Sequence, residues 1–118
     1  MKFITEEDIL TGEGWVQDKG YKKKVLLEDA SGGTILQINI ANPKTTLPAH
    51  HHKSMKEWVF VLSGEAILII NDNKFPMKPN ELITIEPNEI HTVRNDSTEE
   101  FKYLVFKSNI EKDDKFEV

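Results

Sequence analysis

Only four histidines occur in the chain, and three of them are consecutive at His50, His51 and His52. In an extended segment side chains alternate, so His50 and His52 project to one face and His51 to the other. Glu57 follows at the start of an apolar run, at a separation that lets the chain turn and return a carboxylate toward the pair. The fourth histidine, His91, opens another short run after the turn Glu86-Pro87-Asn88-Glu89. Three neutral imidazoles and a carboxylate suit one divalent first-row ion, Mn, Fe, Ni, Zn or Cu, and leave coordination positions open for water or substrate. The same spacing is compatible with a surface histidine cluster with Glu57 and His91 elsewhere, because separation along a chain does not fix contact in space.

Composition narrows the chemistry. Cysteine is absent, which removes disulfides, thiolate nucleophiles, zinc fingers and Cys-ligated iron–sulfur clusters, so any metal must sit on nitrogen and oxygen. Fifteen Lys and Arg stand against 20 Asp and Glu, a net charge of -5 with no basic stripe; no nucleic-acid partner is expected. The apolar runs Trp58–Leu62 and Ala66–Ile70 are far shorter than a bilayer span, so no membrane association is expected. The N-terminal residues turn acidic at Glu6, Glu7 and Asp8 without the apolar stretch of a signal peptide, and a cytoplasmic location is expected.

The elements that must position these residues are strands. At 118 residues the chain is expected to form one domain spanning 1–118. Thr5 with Glu6, Glu7 and Asp8 can cap a short helical turn that Gly12 and Gly14 end. Beyond it, β-rich runs recur at Lys23–Leu27, Thr34–Ala41, Glu57–Leu62, Glu65–Ile70, Leu82–Glu86, Ile90–Arg94 and Phe101–Lys107. Turn residues separate them at Ser31-Gly32-Gly33, Ser63-Gly64, Asn71-Asp72-Asn73, Pro87-Asn88 and Asn95-Asp96-Ser97. An all-β sandwich or barrel follows. The charged tail Glu111–Val118 is expected on the surface.

With these residues in place the chain resembles the cupin superfamily over roughly Thr34 to Lys107. The first cupin motif runs Gly, five residues, His-x-His, three or four residues, Glu, six residues, Gly; His50, His52, Glu57 and Gly64 match it, with Lys44 at the first glycine. The second runs Gly, five residues, Pro-x-Gly, two residues, His, three residues, Asn. His91 and Asn95 match it, while Asn80, Glu86 and Asn88 replace the first glycine, the proline and the second glycine. Asparagine tolerates the left-handed backbone that glycine supplies, so these departures fall on turns and spare the ligands; Lys44 is the least comfortable. The resemblance implies a cupin double-stranded β-helix, a jelly-roll-like barrel with a short N-terminal extension, holding one divalent metal ion on His50, His52, Glu57 and His91.

Function is then expected to be metal-dependent chemistry on a small-molecule substrate: isomerisation of a sugar or uronate, lyase chemistry or oxygenation. The alternative is a module that binds a metal or small ligand without turnover. Glu57, as a ligand, is too weak a base to be the main proton acceptor. Tyr103, between Phe101 and Val105 on one strand face, is the candidate catalytic side chain if its hydroxyl faces inward and its acidity is raised. Gln37, Val93 and Tyr103 are the candidate substrate-binding residues. Simple patterning would put Leu36, Ile38 and Ile40 inside; a polar-lined cavity would put Gln37 there instead. His51 is expected to be solvated and Lys22-Lys23-Lys24 to guard a sheet edge. A scarcity of inward cations favours an uncharged or singly charged substrate over a phosphosugar. Trp58 and Phe60, outward of Glu57, and the two-sided apolar run Glu65–Ile70 lead to the expectation of a homodimer.

Overall fold

Local capping starts the structure, a computed structural model that describes all residues from Met1 to Val118. The Thr5 hydroxyl accepts from the Asp8 backbone N–H at 3.2 Å and the Asp8 carboxylate accepts from the Thr5 N–H at 3.0 Å. This reciprocal box opens the single helix, α1 (Glu6–Thr11), which stops at Gly12.

All other regular elements are strands: β1 (Val16–Asp18), β2 (Tyr21–Asp29), β3 (Thr34–Ala41), β4 (Thr45–Thr46), β5 (His50–His51), β6 (Lys56–Ser63), β7 (Ala66–Ile70), β8 (Asn73–Met77), β9 (Leu82–Ile85), β10 (His91–Asn95), β11 (Phe101–Ser108) and β12 (Phe116–Glu117). One sheet has the order β1-β2-β3-β11-β6-β9 and the other β12-β5-β10-β7-β8, with β4 also on β10. Every pairing is antiparallel. The two sheets enclose a core in which Val61, Leu68 and Phe101 are almost fully buried, the double-stranded β-helix that the sequence implies. No helix is long and apolar enough to cross a membrane.

The seven anticipated strands are all present, shifted by a few residues at their ends, whereas β1, β4, β5, β8 and β12 were not anticipated. Most of these are too short to display a period. On β3 the polar face is the inner one: Gln37 and Asn39 are 3% and 7% exposed and line the barrel cavity. Leu36, Ile38 and Ile40 point the other way, which corrects simple patterning. Lys24 pairs in register with Ile38 and Lys22 with Ile40; the Lys24 ammonium reaches the Asp8 and Ile9 carbonyls of α1 and Lys22 lies 5.0 Å from the Trp15 ring centre. The N-terminal extension thus lies over that end of the outer face and keeps Ile38 and Ile40 buried. The triple lysine is therefore no edge guard, since β2 lies between β1 and β3.

On β7, Ala66, Leu68 and Ile70 face the core, while Ile67 and Ile69, paired with Arg94 and Thr92 of β10, are half-buried on the outer face. The tail does not simply lie on the surface: β12 pairs with β5, placing Phe116 opposite His51 and Glu117 opposite His50.

The turn backbone bears out the glycine replacements. Lys44, Asn80 and Asn88 have φ of 54°, 70° and 70°, the left-handed region. At Lys44, the least suited of the three, the ammonium is held by the Asp96 carbonyl at 2.5 Å. Gly64 has φ of 83°, and a Cβ there would collide with the Glu100 carbonyl where β6 passes the start of β11.

Candidate metal centre

Short strands bring the four candidate ligands together. β5 pairs with β10 so that His50 stands opposite His91, and His52 follows two residues later on the same face. Glu57 projects inward from β6, between the outward Lys56 and Trp58. One ligand atom from each of His50, His52, Glu57 and His91 lies within 4.8 Å of all the others. His52, Glu57 and His91 are each at most 7% exposed.

Backbone carbonyls fix the imidazoles. Nδ1 of His50, His52 and His91 lies 3.2, 2.5 and 2.9 Å from the carbonyl oxygens of Pro48, Asp114 and Glu89. A carbonyl oxygen only accepts, so each Nδ1 carries the proton and each Nε2 presents a lone pair. This is the outer arrangement that orients histidine ligands. His52 Nε2 and His91 Nε2 are buried without a hydrogen-bond partner. They lie 3.0 and 3.8 Å from Glu57 Oε1, the former close but not aligned as a hydrogen bond. Two orphaned buried nitrogens aimed at one carboxylate are costly in a protein alone and fit a shared cation.

The protonation states agree with that donor set. Burial, with His91 nearby, pulls His50 down to about 4, and burial likewise lowers His91, so both are neutral at neutral pH. Burial alone would raise Glu57, but His52, His91 and Lys107 outweigh it and hold the carboxyl at about 2. Three imidazole Nε2 atoms, freed by the Nδ1 contacts to carbonyls, and one anionic oxygen match the residues to a divalent ion of the N/O-binding kind.

Beside the ligands lies a cavity of about 120 Å³. Gln37, Val93 and Tyr103 all line it. Gln37 Nε2 donates to Asn39 Oδ1 at 2.7 Å, and Asn39 Nδ2 donates to the Tyr103 hydroxyl at 3.4 Å. Complete burial raises the Tyr103 hydroxyl well above its ordinary value. The hydroxyl faces inward, but the raised acidity that a proton acceptor would need is not met: Tyr103 keeps its proton at neutral pH and faces the cavity as a donor.

His51 points away from the cluster as alternation requires, but it is not freely solvated. Its ring stacks on Phe116 at 5.3 Å. Asn95 is fully buried and donates to the Asn42 and Glu99 carbonyls at 3.1 and 2.8 Å, holding the loop beyond β10. Arg94 pairs with Asp96 outside the site at 3.0 Å.

Sequence reasoning missed several contributors. Lys23, Lys107 and Lys115 line the cavity, which overturns the expected scarcity of inward cations. Lys107 was legible, because it shares parity with Tyr103 and Val105 on β11. Lys23 became inward only through its pairing with Asn39. The Asp114 carboxylate accepts from the backbone N–H groups of Lys53, Ser54 and Met55 at 2.7, 3.0 and 3.1 Å, tying the tail to the segment between His52 and Glu57. No sequence pattern announces that contact.

Comparison with known proteins follows the same lines. The family model described as Cupin domain matches residues 39–107. No curated protein matches the chain. Among solved structures, the plu4264 protein of Photorhabdus luminescens is 24% identical with a TM-score of 0.76, covering 92% of this chain and 88% of that one. The polyketide cyclase RemF of Streptomyces resistomycificus is 22% identical with a TM-score of 0.79, covering 100% and 85%. KdgF of a Halomonas species is 11% identical with a TM-score of 0.80, covering 96% and 97%. At these identities the likeness is one of fold.

Proposed function

The chain belongs to the cupin domain family, and from that premise we propose that it is a metal-dependent enzyme acting on a small organic molecule. The observation that carries the reading is the set of three imidazoles tethered through Nδ1 to backbone carbonyls, with their free nitrogens converging on Glu57 beside a cavity. A divalent ion bound there would polarise a carbonyl or hydroxyl of the substrate. The chemistry compatible with this ligand set is isomerisation of a sugar or uronate, lyase chemistry or oxygenation. The polyketide cyclase among the structural relatives supports turnover as a use of this fold.

The chain's own residues divide the remaining work. Glu57 serves as a ligand, because its low basicity makes it a poor proton acceptor. Tyr103, held through Asn39 and Gln37, presents its O–H to the substrate and orients it. Val93 narrows the cavity from the facing sheet. Elemental analysis of the wild type, His52→Ala and His91→Ala, followed by a turnover screen with sugars, uronates and alkenes with and without oxygen, tests the proposal. About one metal per wild-type chain, lost in both variants, with metal-dependent turnover supports it. Metal content unchanged in both variants overturns the site, and tight metal binding with no turnover leaves the alternative of a binding module.

A further inference from the structure

Three lysines line the cavity and none forms an ion pair. On the inner face of the sheet that holds β2, β3, β11 and β6, Lys107 stands opposite Glu57 in register across β11 and β6, while Lys23 stands opposite Asn39, which in turn pairs with Tyr103. Lys115 reaches the cavity from the tail. No carboxylate lies within ion-pair distance of any of the three; the ion pairs of the protein are Lys19–Glu117, Lys56–Glu86, Arg94–Asp96 and the two histidine contacts of Glu57. The other acids at the cavity stand at its rim: Asp18 accepts from the Lys19 N–H and the Tyr21 hydroxyl and lies in the field of Lys115 and Lys23, and Glu117 faces Lys19 at 3.9 Å, which leaves Lys107 with Glu57 alone.

Lys107 is the most exacting of these. Its side chain is half-buried at the cavity wall, on the inner face of β11 with Tyr103 and Val105, so its ammonium is partly stripped of water. Glu57 is its nearest anionic neighbour on the sheet, yet that carboxylate is one of the four metal ligands, and charge given to a cation is not available to a lysine. A half-buried ammonium whose facing carboxylate is engaged elsewhere is costly, and an anion entering the cavity reduces that cost. The polar lining matches such a guest: the Tyr103 hydroxyl, having accepted from Asn39, has its own hydrogen to donate.

We propose that Lys107, assisted by Lys23 and Lys115, forms a carboxylate-binding subsite beside the metal centre, so that the substrate is a small organic acid. The inference rests on the metal-dependent reading above and names the substrate class for that same site. A carboxylate is favoured over a phosphate because Lys23 and Lys115 already lie near the Asp18 carboxylate, so that Lys107 alone is left to balance a single negative charge, and there is no arginine in the cavity to clamp a dianion.

The test uses zinc-loaded protein and a matched pair of probes, lactate and the uncharged lactamide, titrated calorimetrically into the wild type, Lys107→Met and Lys115→Ala. Wild type is expected to prefer lactate to lactamide by at least about tenfold, the scale of a charge-assisted contact in a partly dry site. That preference should fall to near unity in Lys107→Met and by a smaller factor in Lys115→Ala, whose substitution is exposed and leaves the core intact. Zinc content is measured in each sample. Equal affinity of wild type for the two probes, a preference retained in Lys107→Met, or tighter binding of inorganic phosphate than of lactate overturns the subsite. If Lys107→Met does not fold, the wild-type preference and its reduction in Lys115→Ala decide the matter. Wild-type protein that retains zinc without discriminating the probes refutes the subsite alone; wild-type protein that takes up no zinc refutes the metal-dependent reading itself.

Discussion

The Asp114 carbonyl accepts the Nδ1–H of His52 at 2.5 Å, so a residue of the tail fixes the tautomer of a ligand 62 positions away. The Asp114 side chain closes the same segment by accepting three successive backbone N–H groups. Outer contacts of this type set ligand orientation and basicity. Asp114→Ala is expected to weaken metal binding by about 10- to 100-fold while the barrel stays folded. A competitive metal titration with circular dichroism checks this, and unchanged affinity would refute a role for the tail.

Tyr103→Phe removes one oxygen from a buried, cavity-facing side chain and leaves the four ligands in place. Metal content should stay at the wild-type level, and turnover, once a substrate is in hand, should fall by about tenfold or more through lost orientation. Because burial raises the hydroxyl, ultraviolet titration should detect no Tyr103 phenolate near neutral pH. Full turnover in the variant removes Tyr103 from the reaction.

Acid should destabilise the fold through surface carboxylates that local hydrogen bonds hold in the charged form. Asp8, held by the Thr5 N–H and hydroxyl, Asp18, by the Lys19 N–H, and Asp29, by the Ser31 hydroxyl and Gly32 N–H, all lie below the ordinary value of 3.8. Their folded values are depressed, so the unfolded chain takes up protons first as pH falls. The stabilisation is therefore complete above the ordinary value and disappears as pH drops through the lower folded values. Urea midpoints measured from about pH 5 to about pH 2.5 should decline, with a shallower decline in Asp29→Asn than in the wild type.

A homodimer is expected through the outer face of the sheet that holds β2, β3, β11 and β6. Leu27, Leu36, Phe106 and Trp58 pair side by side across β2, β3, β11 and β6, with Leu27 43% and Phe106 39% exposed and the Trp58 and Phe106 rings 5.3 Å apart. An apolar row across four strands is the kind of surface that association covers. Sedimentation velocity at micromolar concentration should give twice the 13.6 kDa chain mass, and Phe106→Glu should give the monomer. Wild-type protein that sediments only as a monomer refutes this.

The sequence by itself determined the β-class, seven of the twelve strands and, through its resemblance to the cupin motifs, the cluster of His50, His52, Glu57 and His91 that could hold a metal ion. Alternation along a strand is a local property, and His50, His52, Glu57 and His91 each sit where a short turn returns the chain to the same face. It also located the turns at Lys44, Asn80 and Asn88, whose left-handed backbone is a property of a few adjacent residues. The tertiary structure alone decided which face of β3 is inside. Burial rewards any cover, and here α1 and Trp15 supply it over Ile38 and Ile40, which frees Gln37 and Asn39 to line the cavity. It also decided the surroundings of the ligands, Asp114 on His52 and Lys23 and Lys115 at the cavity. These contacts join residues far apart along the chain, and a two-residue strand such as β12 is too short to carry a period from which its partner could be read.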